Sequence, residues 1–293
     1  RDRDVTGVQT CALPICTGKT TIASALINLA QAKAYADCDV DAPNLHLISD
    51  WDQEPESRDY FGMDKASINS DLCTECDLCR QHCRFDAISC DGAYTVDPFS
   101  CESCAVCEYV CPANAIEMQP AVAGELMLYS NADTVFSTAR LKMGSGNSGL
   151  LVSEVKGAMK ASAASATRLA IIDGSPGIGC PVIASLSGVD MVLLVTEPSV
   201  SGLSDLKRVL ETAAKFGVKA AICINKFDSN PEQSKKIEVF CQEHSLPIVG
   251  KIPFDENAVK AINSGKSIVD IDCASGRAVQ PLFYKTMRLL YAD

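Results

Sequence analysis

Aromatic residues are scarce in this chain. Phe, Trp and Tyr make up 6% of it, there is one Trp, and the three histidines (His46, His82 and His244) stand apart with no role assigned to them. Cationic residues are outnumbered too: 26 Lys and Arg face 37 Asp and Glu, leaving a net charge of −11. That balance, with no basic patch, excludes nucleic acid as an expected partner. No apolar run approaches the ~20 residues that a membrane-spanning helix needs. No signal peptide is apparent, and the chain reads as cytoplasmic. The last helical stretch, Ala278–Tyr291, carries only Lys285 and Arg288, so packing onto a sheet suits it better than lying on a membrane.

Aliphatic residues and cysteine, by contrast, are plentiful. Across 293 residues, 47% are hydrophobic, enough for one large domain plus a small insert. Sixteen cysteines in a chain with no mark of secretion point to a reducing compartment and metal ligation. Eight of them form an internal repeat. Cys73, Cys76, Cys79 and Cys83 recur 28 residues later as Cys101, Cys104, Cys107 and Cys111, and Ala87-Ile88 recur as Ala115-Ile116. This doubled x2-x2-x3 spacing is that of a bacterial-type ferredoxin with two 4Fe–4S clusters. Three thiolates at x2 intervals can wrap one cubane, while the fourth lies too far along the chain to close the same cube and reaches the other. The expected sets are Cys73, Cys76, Cys79 with Cys111, and Cys101, Cys104, Cys107 with Cys83. Two structural zinc sites could be built from the same thiolates. Between Asp71 and Glu117 stand nine acidic residues and two arginines. They are either a solvated surface or a face that steers a positively charged redox partner. Cys38, Cys90, Cys223, Cys241 and Cys273 read as small buried apolar residues. Cys180 has no CxxC partner from which to build a further metal site.

The first residues are set aside. The chain starts without Met, and Val5–Ile15 (VTGVQTCALPI) reads as the in-frame translation of a common sequencing adapter. Residues 1–16 are therefore expected to be an artefactual segment, excluded from the fold, and Cys11 and Cys16 receive no role.

From residue 17 onward, strands alternate with helices. Gly18-Lys19-Thr20-Thr21 opens a helix to about Lys33, the second half of a P-loop. Ala34–Asp37 is a strand that ends in the acidic run Asp37-Cys38-Asp39-Val40-Asp41. Residues 48–70 read as a polar linker. Glu125–Tyr129 and Val135–Leu141 form a hairpin, and Ser148 caps a helix over Leu150–Ser162. Leu169–Asp173 is an apolar strand buried on both faces, with its terminal Asp placed like a Walker B acid. Met191–Thr196, Lys219–Asn225 and Leu246–Lys251 are further strands. A helix capped by Ser201 or Ser204 follows the first of these, and a helix over Pro231–Glu243 capped by Asn230 follows the second. The pattern predicts an α/β fold with a doubly wound, mostly parallel sheet. The expected organisation is an ATPase domain over 17–62 and 121–293, interrupted by a ferredoxin-like insert over 63–120.

The order GKT, DCDVDAPN, two CxxCxxCxxxC runs, DGSPGIGCPV, TEPSVSGLSDLKR, INKFD and GKIPFD resembles the MinD-superfamily P-loop ATPases that carry an inserted ferredoxin domain, relatives of MinD, ParA, the Mrp-type carriers and the nitrogenase iron protein. The resemblance runs from residue 17 to nearly the C-terminus. It implies a nucleotide-dependent homodimer that binds ATP, Mg²⁺ and two 4Fe–4S clusters. In it, Gly18, Lys19, Thr20 and Thr21 hold the phosphates, Lys19 reaches the β/γ-phosphates and Thr20 ligates Mg²⁺. Asp39 orients the attacking water with Asp37 behind it, Asp173 holds the Mg²⁺ shell and Gly177 lies near the γ-phosphate. Asn225 reads adenine, and Pro253, Phe254 and Asp255 lie beside the base. The function implied is coupling of nucleotide state to electron transfer. The alternatives are cluster assembly or delivery, and a regulatory switch like MinD with the clusters as sensors.

One departure from the family carries a consequence. Its KGGTGKT signature places lysine and two glycines where this chain has Pro14, Ile15 and Cys16. Proline offers neither the ammonium nor the backbone donor. The chain as written is expected to hydrolyse ATP poorly or not at all, and restoring Lys-Gly-Gly at 14–16 should rescue turnover. A restored protein still inactive at saturating Mg-ATP would count against the ATPase reading.

Overall fold

The computed structural model describes residues 9–13, 18–49 and 51–292. In chain order the elements are β1 (Gln9–Leu13), α1 (Lys19–Ala30), β2 (Ala34–Asp37), β3 (Glu56–Phe61), β4 (Lys65–Ile68), α2 (Leu78–His82), β5 (Ile88–Cys90), β6 (Tyr94–Val96), α3 (Val106–Tyr109), β7 (Ile116–Gln119), β8 (Val122–Ser130) and β9 (Val135–Leu141). They continue with α4 (Ser148–Ser162), β10 (Leu169–Asp173), α5 (Cys180–Leu186), β11 (Met191–Thr196), α6 (Val200–Phe216), β12 (Lys219–Asn225), α7 (Pro231–Glu243), β13 (Ile248–Ile252), α8 (Glu256–Asn263) and α9 (Ala274–Leu290). The chain divides into two compact units: 1–57 with 126–140 and 148–293, and 58–125 with 141–147.

The central sheet runs β13-β12-β11-β1-β10-β2-β9-β8-β3. The pairings that link β13 through β9 are parallel. β8 leads into β9 through a tight turn closed by Asn131 N–H donating to the Thr134 carbonyl at 3.0 Å. The side-chain alternation of the strands explains the double winding. Met191, Leu193 and Val195 of β11, with Ala221 and Cys223 of β12, join one core with α1 and α9. Val192, Leu194, Ile222 and Ile224 join a second core with α5, α6 and α7. Strands covered on both faces in this way read as continuous apolar runs, and β10 and β11 do.

Several expectations need correction. Gln9–Leu13, which falls in the segment set aside, forms β1 between β10 and β11, with Cys11 and Ala12 fully buried. Small apolar side chains fill that slot in the sheet. Residues 48–70 are not a plain linker but contain β3 and β4; β3 is exposed at five of its six positions, so no hydrophobic pattern announces it. Helix α1 stops at Ala30 because Gln31 turns left-handed (φ 48°). Ser148 is the first residue of α4 rather than its cap. The cap of α6 is Ser199, whose hydroxyl accepts from Gly202 N–H at 2.9 Å, not Ser201 or Ser204. Asn230 does cap α7, accepting from Gln233 N–H at 3.1 Å. Cys273 is more than filler, since its Sγ accepts from Gly276 N–H at 3.2 Å and caps α9. Cys90 is exposed.

The second unit is two interlocked copies of one half. β4 pairs with β7, and β6 with β5, in two small antiparallel sheets. The β4–β7 pair takes one strand from each end of the unit. Asn69 N–H donates to the Ala115 carbonyl at 2.8 Å, and the equivalent Asp97 N–H donates to the Ala87 carbonyl at 2.7 Å. Ala87, Ile88, Ala115 and Ile116 are buried at its centre, where Ile88 and Ile116 pack with Cys79 and Cys101. Among the described residues no helix is long and apolar enough to cross a membrane.

Candidate functional site

β10 and β2 are adjacent, parallel and in register, with Asp173 opposite Asp37 at their carboxyl ends. Open α/β sheets bind ligands at this edge. Helix α1 begins at the same edge. Gly18 precedes it at φ 92°, and a Cβ there would stand 2.4 Å from the Asn225 side-chain nitrogen at the end of β12. Only glycine satisfies both the left-handed backbone and the close approach. Asn225 is thus placed against the start of α1.

The side chains converge. Thr20 Oγ1 donates to Asp173 Oδ2 at 2.5 Å. Asp173 is fully buried, and its Oδ1 has no protein partner. Lys19 is 7% exposed, with its Nζ 3.9 Å from Asp39 Oδ2. Asp37 shapes the loop instead, accepting from the backbone N–H groups of Asp39 (3.0 Å), Asn44 (2.9 Å) and Leu45 (2.9 Å). Burial, reinforced by the neighbouring Asp37 charge, pushes Asp173 up to about 8, with Lys19 and the Thr20 hydroxyl opposing. Burial pushes Asp37 up to about 6 against its three backbone donors. Asp39 is also raised, chiefly by burial, with Lys19 opposing. The orphaned Asp173 oxygen beside the Thr20 hydroxyl, with Asp39 and the Lys19 ammonium close by, is the kind of oxygen-donor setting that a hard divalent cation takes.

The other predicted residues fall as follows. Thr21, in the first turn of α1, is half-buried, and its carbonyl accepts from the Ser24 hydroxyl at 3.0 Å. Gly177 lies in the loop after β10 at φ 85°. Pro253 follows β13 in a braced loop: Phe254 N–H donates to Asp228 Oδ1 at 2.7 Å, and Asp255 accepts from Asn257 N–H (3.0 Å) and Ser275 N–H (2.9 Å). Pro14, Ile15 and Cys16 lie outside the described residues. Sequence reading missed Ser175, a buried serine between Gly174 and Pro176 whose hydroxyl donates to the Cys38 carbonyl. Nothing in a glycine- and proline-rich loop singles it out.

In the second unit, the two cysteine loops repeat each other's backbone. Left-handed, non-glycine residues occur at Glu75, Asp77 and Asp86, and again 28 residues on at Ser103, Ala105 and Asn114. A cavity is walled in part by Cys83, Cys101, Cys104 and Cys107, with Phe85, Val106 and Met118. Ala115 N–H donates to Cys111 Sγ at 3.3 Å. Among the described residues, no three His, Cys, Asp or Glu side chains stand in metal-holding geometry as they are placed.

Comparison with known proteins sets this site in context. Residues 17–268 match the CobQ/CobB/MinD/ParA nucleotide binding domain. The uncharacterized protein MJ0578 of Methanocaldococcus jannaschii is 30% identical over 282 residues, covering 93% of this chain and 95% of its own length. The septum site-determining protein MinD of Helicobacter pylori is 31% identical over 133 residues, 41% of this chain and 48% of its own length. Among solved structures, MinD of Pyrococcus horikoshii complexed with Mg-ADP superposes with a TM-score of 0.58 at 16% identity, covering 97% of this chain and 98% of that one. An ATP complex of a Cyanothece McdA variant gives 0.55 at 16% identity, with 98% of each chain covered. At these identities the structures establish the shared fold: an α/β fold with a mostly parallel central sheet.

The buried carboxylates make nucleotide-free stability depend on pH. A carboxyl raised in the folded state contributes stability that is complete below its unfolded value and is lost as pH rises through the folded one, here about 8 for Asp173. D173N should therefore raise the Tm of nucleotide-free protein at pH 8.5 by at least about 2–4 °C, the shift that ~1 kcal/mol gives in a domain of this size. The advantage should shrink toward pH 5. Thermal unfolding at the two pH values checks this, and a variant less stable than its parent at pH 8.5 would contradict it.

Proposed function

Because the chain belongs to the CobQ/CobB/MinD/ParA nucleotide-binding domain family, we propose that it is a MinD/ParA-like ATPase switch that binds Mg-nucleotide at the edge of β10 and β2 and carries a cysteine-rich module as its sensor. The observation that carries this reading is the convergence of Lys19, Thr20 and Asp173, with Asp173 Oδ1 left unpartnered, at the start of α1. Anionic phosphates suit a helix N-terminus lined with free N–H groups. Lys19 would neutralise the β/γ-phosphates, Thr20 and Asp173 would hold Mg²⁺, and Asp39 would orient water for in-line attack. Lys19 holds Asp39 only at 3.9 Å, so the carboxylate is free to turn toward a water once phosphate claims the ammonium. Asn225 and the Pro253 loop close the base end. The Aquifex aeolicus relative is known in a MinC:MinD complex. A homodimer whose nucleotide state selects a protein partner is the corresponding expectation here.

A second reading adds electron transfer, and the repeated cysteine loops favour it. Left-handed residues in alternation turn backbone N–H groups toward one centre, the concavity found around phosphates and iron–sulfur clusters. Six non-glycine residues hold that conformation, three of them (Glu75, Ser103 and Ala105) residues for which it is strained. They do so at the same positions of both halves. Cys83, Cys101, Cys104 and Cys107, the set expected for one cluster, wall one cavity although Cys83 comes from the other half of the repeat. The doubled x2-x2-x3 spacing favours a 4Fe–4S cluster over zinc here, with each set borrowing its fourth ligand from the other half. Cys73, Cys76, Cys79 and Cys111 would hold the second. Bound clusters would supply one-electron chemistry, and the acidic surface around them would favour a basic redox partner. Two closed ligand sets argue for resident clusters rather than cluster delivery.

Two measurements test the reading. Mg-ADP at ~100-fold above its Kd should stabilise the protein by ~2.7 kcal/mol, roughly 5–10 °C in Tm, and K19A should lose most of that shift. An unchanged shift in K19A would remove the phosphate site. After anaerobic reconstitution the chain should hold about eight irons, the content of two 4Fe–4S clusters, and stoichiometric zinc without a cluster signal would sink the electron-transfer reading.

A further inference from the structure

Ser175 lies two residues beyond Asp173, is 4% exposed, and takes no part in the phosphate site described above. Its hydroxyl donates to the carbonyl of Cys38, the residue between Asp37 and Asp39. One hydrogen bond thus ties the loop after β10 to the loop after β2. On its other side, Ser175 N–H points to Ser185 Oγ at 3.4 Å, and that hydroxyl donates to the Pro181 carbonyl at 2.8 Å inside α5. Ser185 is fully buried.

Helix α5 is in turn held by α4. Lys156 Nζ donates to the carbonyls of Ala184 (2.7 Å), Ser185 (3.1 Å) and Ser187 (2.5 Å), the last turn of α5 and the residue after it. An ammonium there satisfies carbonyls that have no partner within the helix and complements the negative end of its dipole. At the other end of α5, a Cβ on Gly149 would meet Cys180 Cβ at 3.0 Å, so α4 and α5 touch at both ends. Burial pushes Lys156 down to about 8, with Cys38 favouring its charge. Lys156 is thus a half-buried cation that the phosphate site does not use. In the chain, α4 follows directly on 141–147, the closing segment of the cysteine-bearing unit.

We propose that Ser175, Ser185 and Lys156 form a positioning relay that makes the two acidic loops move together and reports bound Mg-nucleotide to helix α4. This rests on the nucleotide reading above. A ligand that draws Asp173 toward a cation moves Ser175, and with it both the Cys38 carbonyl beside Asp39 and the start of α5. The three carbonyls on Lys156 carry the displacement to α4. Packed elements of this kind shift between discrete arrangements rather than bend continuously.

Amide hydrogen exchange of the full chain, with and without saturating Mg-ADP, tests the relay. In the parent, amides of α4 and α5 should gain about tenfold protection on binding, the change that 1.4 kcal/mol of local stability gives. S175A and K156M should each bind Mg-ADP with a Kd within about threefold of the parent, about half of a tenfold step in free energy, yet lose the gain in α4. The double variant should lose no more than either alone, as members of one network do. Residues that merely stabilise the fold would lower protection equally in both states and leave the difference intact. That outcome, or a parent α4 that does not respond while calorimetry shows Mg-ADP bound, overturns the relay. A parent that binds no Mg-ADP at all fails earlier, at the nucleotide reading, and takes the relay with it. K156M changes α4 and none of the phosphate-site residues, so it decides the matter if S175A does not fold.

Discussion

Two carboxylates buried side by side set the terms for the larger unit. Asp37 and Asp173 end adjacent parallel strands in register, and both are fully buried. Like charges so placed in a low dielectric cannot both ionise cheaply. Asp37 is answered by three backbone N–H groups, which bend the following loop around it. Asp173 has one hydrogen bond, from Thr20, with the Lys19 charge near it, and its other oxygen has no protein partner. A buried carboxyl left incompletely satisfied in this way weakens the fold whenever it ionises, and on the nucleotide reading a bound cation would offset that cost. The same incompleteness that weakens the ligand-free state is what makes ligand binding felt.

This explains why the loops after β2 and β10 need to be coupled. The loop after β2 is shaped by Asp37 and carries Asp39; the loop after β10 carries Gly177. If each relaxed independently, a cation at Asp173 would reorganise only its own loop. The Ser175 hydroxyl on the Cys38 carbonyl prevents that, and Ser185 and Lys156 extend the coupling away from the site. Lys19 sits between the two loops and is claimed strongly by neither, 3.9 Å from Asp39.

Much of this was legible in the sequence for a simple reason: strands buried on both faces have no room for ambiguity. Leu169–Asp173, Met191–Thr196 and Lys219–Asn225 coincide with β10, β11 and β12, and Asp173 sits where the apolar run stops. Lys19 and Thr20 stand in the first turn of α1, where the sequence pattern opens a helix. Elements whose side chains face water were not legible: β3 has one buried position in six. Caps were ambiguous where candidates crowd, as among Ser199, Ser201 and Ser204, and invisible where a thiol does the work of a hydroxyl, as at Cys273. Ser175 and Lys156 escaped because their meaning lies in tertiary partners, which local pattern does not encode. The Gln9–Leu13 strand escaped for the opposite reason. It lies in the segment whose sequence matches a translated adapter, yet two small apolar residues, Cys11 and Ala12, fit the gap between β10 and β11.

The cysteine unit shows how an internal repeat converts strain into specificity. A left-handed residue without a glycine is a local liability, and the two cysteine loops hold six of them. Chance would scatter them, yet each has its counterpart 28 residues away. The core between the halves is small, chiefly Ala87, Ile88, Ala115 and Ile116 with their flanking cysteines. Residues in the left-handed conformation in alternation turn their backbone N–H groups toward one centre. On the electron-transfer reading, each half would lend a cysteine to the other's loop, neither site would close without both halves in place, and ligation and folding of the unit would become one event.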